Sequence, residues 1–260
     1  MGGELTVPME LKEIIVISDG KSNVGENPAK AAFLAHRKGI IVNAIGIMGS
    51  GEAEEPYIEL EGIAKVGGGI CDIIPLSMLD YSVQMVTMRS VQMTIERAVS
   101  RQLRNITGYS LEDMEPDSRA RILEYIQRMG NEVSLKCVVA IDCSGSMKSR
   151  IKTALGSMQD LLISLKTRKG RSCLGIVAFP GRGGREGRVI SGFTDDFDEL
   201  TKRLKRIKVG GPTPTHAGIV RASRLFDGED LTLYTEEGSR WQPVVEGPPP
   251  EAEEERPFIL

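Results

Sequence analysis

The chain has 260 residues, of which 40% are hydrophobic and 27% charged, with a formal net charge of -3. That length holds one large domain or two small ones and can bury a core without disulfide staples. The charge balance excludes a polycation that coats nucleic acid, one Trp and 5% aromatic residues argue against base stacking, and no nucleic-acid partner is expected.

The opening residues MGGELTVPMELKE lack a basic stretch followed by an apolar run, so no secretory signal is expected there. No apolar segment approaches the roughly 20 residues that span a bilayer. A cytoplasmic protein without a membrane partner is the expectation. Glu13–Ile17 (EIIVI) is a short apolar run of the kind that forms a buried parallel strand, ending in the turn signal Ser18-Asp19-Gly20. Pro28–Lys38 predicts a helix with Pro near its start, and Gly39 stops it. Ile40–Met48 predicts a second strand, Pro56–Lys65 a helix and Ile70–Ile74 a third strand. Met78–Ile106 is a long helical pattern. Thr107–Ser118 with Pro116 breaks it, and Ala120–Met129 predicts a short amphipathic helix ended by Gly130. Ser134–Ile141 is again a buried strand and Lys148–Lys166 a helix. Cys173–Phe179 is a strand, and Gly181–Gly187 a flexible turn before a returning strand from Arg188. Phe197–Ile207 and His216–Phe226 predict the last helices. From about Asp227 an acidic tail ends in PPPEAEEERPFIL, read as solvating or interacting chain. The alternation is that of an α/β fold: a doubly wound, mostly parallel sheet with helices on both faces. Cys71, Cys137, Cys143 and Cys173 show no metal-ligand spacing and read as buried thiols.

One strand runs directly into Asp142-Cys143-Ser144-Gly145-Ser146, a D-x-S-x-S string. Ligands of open parallel sheets sit past the carboxyl ends of strands, where such a loop can turn one carboxylate and two hydroxyls to a point. Hard oxygen donors of limited charge suit Mg²⁺, with Mn²⁺ or Ca²⁺ as other occupants. The turn Gly210-Gly211-Pro212-Thr213-Pro214-Thr215 adds a hydroxyl before a helix, and Asp19 adds an acid at a second strand end.

These segments resemble the von Willebrand factor A domain and its metal-ion-dependent adhesion site, over about Glu13–Leu79 and Ser134–Phe226. The resemblance implies metal ligation by Asp142, Ser144, Ser146, Thr213 and Asp19, with Thr215 as the alternative to Thr213. The family's usual order puts D-x-S-x-S first and the acid of the D-G strand later, whereas Asp19 here precedes Asp142. Each half carries what the other lacks, so the resemblance implies a circularly permuted domain. Its parts are 12–80 as the carboxyl half, 81–130 as a helical connector joining the old termini, 131–226 as the amino half and 227–260 as the tail. A tandem fragment and a swapped dimer, in which Asp19 completes another chain's site, are the alternatives to a permuted monomer.

Such a site implies a protein-binding module whose cation accepts an Asp or Glu from a partner, and not an enzyme. A metal-dependent hydrolase and a structural domain with a vestigial site are the rival readings. His36 reads as a surface helix residue and His216 as a helix start, neither as a base. Arg182, Arg185 and Arg188 in the Gly181–Arg188 hairpin would make the rim basic. Within the family the chain looks closest to the A domains of magnesium- and cobalt-chelatase-like proteins, which work beside AAA+ ATPases. Such an ATPase is an implied partner, while the chain itself has no phosphate-binding GxxxxGK[ST].

Overall fold

A computed structural model describes residues 10–48, 55–109, 111–181, 183–184, 186–205 and 207–228. The elements are β1 (Glu10–Ser18), α1 (Pro28–Arg37), β2 (Ile40–Met48), α2 (Glu55–Val66), β3 (Gly68–Pro75), α3 (Leu79–Thr107), α4 (Pro116–Glu132), β4 (Ser134–Asp142), α5 (Ile151–Lys166), β5 (Ser172–Phe179), β6 (Arg188–Thr194), α6 (Phe197–Leu204) and α7 (Thr215–Phe226). The acidic tail beyond Gly228 lies outside the described residues, as do Arg182 and Arg185.

The strands form one sheet in the order β3-β2-β1-β4-β5-β6. Every neighbouring pair is parallel except β5 and β6. At its centre β1 pairs with β4 from Glu10↔Ser134 to Ile17↔Ile141, and with β2 from Lys12↔Ile40 to Ser18↔Gly46. The strand pattern is continuous rather than alternating because both faces are covered. Ile15 and Ile17 of β1 join Val139 and Ile141 of β4 under α3, α4 and α5, through Ile95, Ile126 and Met158. Ile14 and Val16 join Val138 and Ala140 on the other face, under α1, α2 and α7, through Ala32, Leu60 and Ile219. Cutting one of these Ile side chains back to Ala would cost about 2–5 kcal/mol.

The stretch expected to join two halves is a packed layer. Val83, Val86, Val91, Ile95 and Val99 of α3 are all buried in the first cluster. Helix α4 starts at Pro116 and runs through Gly130 to Glu132, longer at both ends than expected. Pro116 sits at the first helical position, where its missing N–H costs nothing. Gly130 faces α3, where an added Cβ would stand 3.9 Å from Val91 and 4.0 Å from Ile95, at ordinary contact distance, and the helix runs on through it rather than stopping there. Helix α6 ends at Leu204, short of Ile207, which packs against the core from the following turn. Helix α5 begins only at Ile151, because Ser146–Ser149 forms a separate 3-10 turn. All four cysteines are free; Cys137 and Cys143 are buried, Cys71 and Cys173 half-buried. Among the described residues, no helix is long and apolar enough to cross a membrane.

One buried polar group stands apart from the rim. Glu13 in β1 is fully enclosed. The Asn43 amide donates to Glu13 Oε2 at 3.4 Å and to Ser90 Oγ at 3.1 Å. Glu13 Oε1 makes no hydrogen bond among the described residues. Burial pushes the Glu13 carboxyl up from 4.5 to about 8, against the hydrogen bond from Ser90 and the charge of Arg168. The folded state therefore keeps a proton that the unfolded chain loses near pH 4.5. Stability from this group is whole below that pH, falls as pH rises and levels off above about 8. Glu13→Gln removes this slope, so urea midpoints at pH 5, 6.5 and 8 fall less steeply than in the wild type; parallel profiles would contradict the burial argument.

Candidate metal centre

Strands β1, β4 and β5 run parallel, so their carboxyl ends share one rim. Asp142 ends β4 with no exposed surface. Its Oδ1 accepts the Ser144 backbone N–H at 2.8 Å, a turn stabilised by its own side chain. Its Oδ2 accepts the Ser18 hydroxyl from the end of β1 at 2.6 Å. The Ser144 and Ser146 hydroxyls lie 3.0 Å apart, and Ser146 donates to Asp19 Oδ1 at 2.7 Å. Asp19 Oδ2 takes an N–H from Arg150 Nη1. Four of the five expected residues are thereby linked in one hydrogen-bonded chain, with Asp19, Asp142 and Ser144 all buried. That chain forms within a single molecule.

Thr213 arrives from the third loop. Gly210 N–H donates to Cys143 O at 2.8 Å and Gly145 N–H to Gly211 O at 3.0 Å, which clamps the turn onto the D-x-S-x-S loop. Gly211 has φ 92, a left-handed conformation that favours glycine. Thr213 is buried, and its N–H donates to Asn23 Oδ1 at 2.8 Å on the β1–α1 loop. That bond and the one from Asn23 N–H to Thr213 O at 3.3 Å hold its backbone against the loop. Thr215, at the start of α7, is fully buried, and its hydroxyl has no hydrogen-bond partner among the described residues. Helix α7 comes this close because Gly218 lies on Phe179 at the end of β5, where a Cβ would be 2.4 Å from the ring.

The arrangement is a set of hard oxygens: two carboxylates and two serine hydroxyls, with threonines nearby. Octahedral Mg²⁺ with bonds of about 2.0–2.1 Å places adjacent ligand oxygens about 3 Å apart. The Ser144–Ser146 separation of 3.0 Å meets that spacing. Among the described residues no three His, Cys, Asp or Glu side chains gather into a cage, so a cation here would depend on hydroxyls and water. Burial pushes the Asp142 carboxyl up to about 6; hydrogen bonds from Ser18 and Ser144 pull it back, and the Asp19 charge adds to the rise. A cation would relieve both the desolvation and the repulsion.

Ser18, Arg150 and Asn23 were not among the expected site residues. Ser18 directly precedes Asp19 at the strand end. Arg150 lies four residues after Ser146, a spacing that returns a side chain to the same side of a helical turn. His216 Nε2 lies 3.9 Å from Glu26 Oε2, and His36 is exposed on α1. Of the three hairpin arginines only Arg188, half-buried at the start of β6, is described. The hairpin borders the same rim, since a Cβ on Gly184 would stand 3.5 Å from Pro212. Ser18→Ala strips Asp142 of its 2.6 Å hydrogen bond and should lower stability by about 1–3 kcal/mol. Urea denaturation in EDTA measures this, and an unchanged midpoint would deny Ser18 its role.

The von Willebrand factor type A domain profile matches residues 137–242. That stretch begins inside β4 and takes in the D-x-S-x-S loop and the Thr213 turn, while β1 to β3 with Asp19 lie before it. An uncharacterized protein, YabS of Bacillus subtilis (strain 168), is 34% identical over 220 residues, spanning 84% of this chain and 89% of that protein. The crystal structure of an uncharacterized protein from Alicyclobacillus acidocaldarius is 37% identical, covers 86% of this chain and 97% of that one, and superposes with a TM-score of 0.80. The chain is thus a relative of these two uncharacterized bacterial proteins, and its stretch 137–242 is similar to the von Willebrand factor type A domain family.

Proposed function

We propose that the rim binds one divalent cation, Mg²⁺ in the first place, and that the bound ion accepts an Asp or Glu side chain from a partner protein. The observation that carries this reading is the continuous chain of oxygens from Asp142 and Ser18 through Ser144 and Ser146 to Asp19. Ser144 and Ser146 would ligate directly. The carboxylates, whose oxygens already accept protein hydrogen bonds, would act largely through water. Thr213 would complete the set, with the unsatisfied hydroxyl of Thr215 as the alternative. Neutral hydroxyl ligands leave a cation short of electron density, which favours an added carboxylate. A cleft of 530 Å³ beside the β1–α1 loop, lined by Ser22, Asn23, Glu26 and Glu59 among others, gives room for residues flanking it.

The domain acts by capture rather than turnover, in the cytoplasm, and its partners include an AAA+ ATPase of the kind that works beside chelatase-like A domains. The chain order is a circular permutation of the family's usual one. Two facts support this: Asp19 completes the site from a strand preceding the profile match, and that strand pairs directly with β4.

Titration of the full chain with MgCl₂ or MnCl₂ by calorimetry should give a single site. Ser144→Ala and Asp142→Asn should abolish it, and Thr213→Ala should weaken it by about tenfold or more while leaving the melting temperature in EDTA near the wild-type value. Peptides selected from a random display library in Mg²⁺ should carry Asp or Glu and detach in EDTA. Absence of binding to either ion, or selected peptides indifferent to EDTA, would overturn the proposal.

A further inference from the structure

Arg150 occupies the single position between the 3-10 turn Ser146–Ser149 and helix α5. Its guanidinium pairs with Asp19, and the two side chains are 13% and 0% exposed. Nothing on its own helix favours a cation there. The first turn of α5 carries no acidic residue, and the N-terminal end of a 16-residue helix is itself positive. The Asp19 carboxylate is a group that offsets both. One oxygen of that carboxylate meets Ser146 and the other meets Arg150. The protein thus already places a positive charge on the carboxylate that a bound ion would use.

We infer that Arg150 is a built-in counter-cation: its guanidinium holds Asp19 in place while the centre is empty and is displaced from that carboxylate when a divalent ion enters. This inference rests on the reading of the rim as a cation site. Three consequences follow from charge alone. The empty centre keeps its shape, because Asp19 is not left buried and unpaired. The ion binds more weakly than the oxygens alone would allow, because it must displace or face a like charge at short range. Once the ion is in, it lies beside both the guanidinium and the N-terminal end of α5, and the excess positive charge favours an anionic partner group.

The test compares the wild type with Arg150→Gln in the full chain. Calorimetry with MnCl₂ at low ionic strength should show the variant binding at least about tenfold more tightly. Its melting temperature should fall in EDTA and recover with Mg²⁺ by more than the wild type gains. Equal or weaker affinity in the variant would overturn the inference. Should Arg150→Gln fail to fold, the wild type decides the matter by nuclear magnetic resonance with ¹⁵N-labelled arginine. The Arg150 side-chain signals should shift and lose protection from exchange at saturating Mg²⁺, and signals that stay put would overturn it. Wild-type binding without a gain in the variant defeats only the role of Arg150. Failure of both proteins to bind any divalent ion defeats the cation reading beneath it.

Discussion

Ile17 lies opposite Ile141 in the parallel pair of β1 and β4. That register brings the next residues, Ser18 and Asp19, level with Asp142 and the loop that follows it. The hydrogen bond from Ser18 to Asp142 and that from Ser146 to Asp19 are both products of this pairing. A slip of one residue would turn the apolar side chains of β1 to the wrong face and move Asp19 away from the serines. The two cores that grip alternate residues of β1 and β4 therefore hold the rim in register as well as stabilising the sheet.

Burial makes each polar group at this rim dependent on its neighbours. Asp142 is tolerable because Ser18 and Ser144 donate to it, and Asp19 because Ser146 and Arg150 do. An arrangement of this kind is preorganised: the donors stand ready before any ligand arrives, so little ordering entropy is lost on binding. Glu13 shows the opposite solution in the same sheet. It has a long amide contact from Asn43, a hydrogen bond from Ser90, an unsatisfied oxygen and a carboxyl pushed up to about 8, so burial is met there by keeping a proton. The rim instead sets two carboxyls close together, each with hydrogen-bond donors, an arrangement suited to a cation.

Much of the fold was legible because its strands are short apolar runs punctuated by Gly, Pro and Asp, and Ile40–Met48 came out residue for residue. Errors gathered where packing overrides local preference. Gly130 reads as a helix stop, yet α4, packed on α3, runs through it to Glu132. Lys148 reads as the start of a helix, yet Ser146–Ser149 tightens into a separate turn, from which the Ser146 hydroxyl donates to Asp19. The site was legible through its oxygen-bearing residues at strand ends. Its supporting residues were not, because Ser18, Asn23 and Arg150 gain their meaning only from contacts with chain 124, 190 and 131 residues away.

The central claim is that two distant parts of one chain unite to coordinate a single ion. The most direct measurement is an anomalous difference map from crystals of the full chain grown with Mn²⁺. One peak should lie within bonding distance of the Ser144 and Ser146 hydroxyls, with Asp19 of the same molecule reaching it directly or through one bound water. A rim without density at saturating Mn²⁺, or a peak that Asp19 of the same molecule does not reach even through water, would contradict the account.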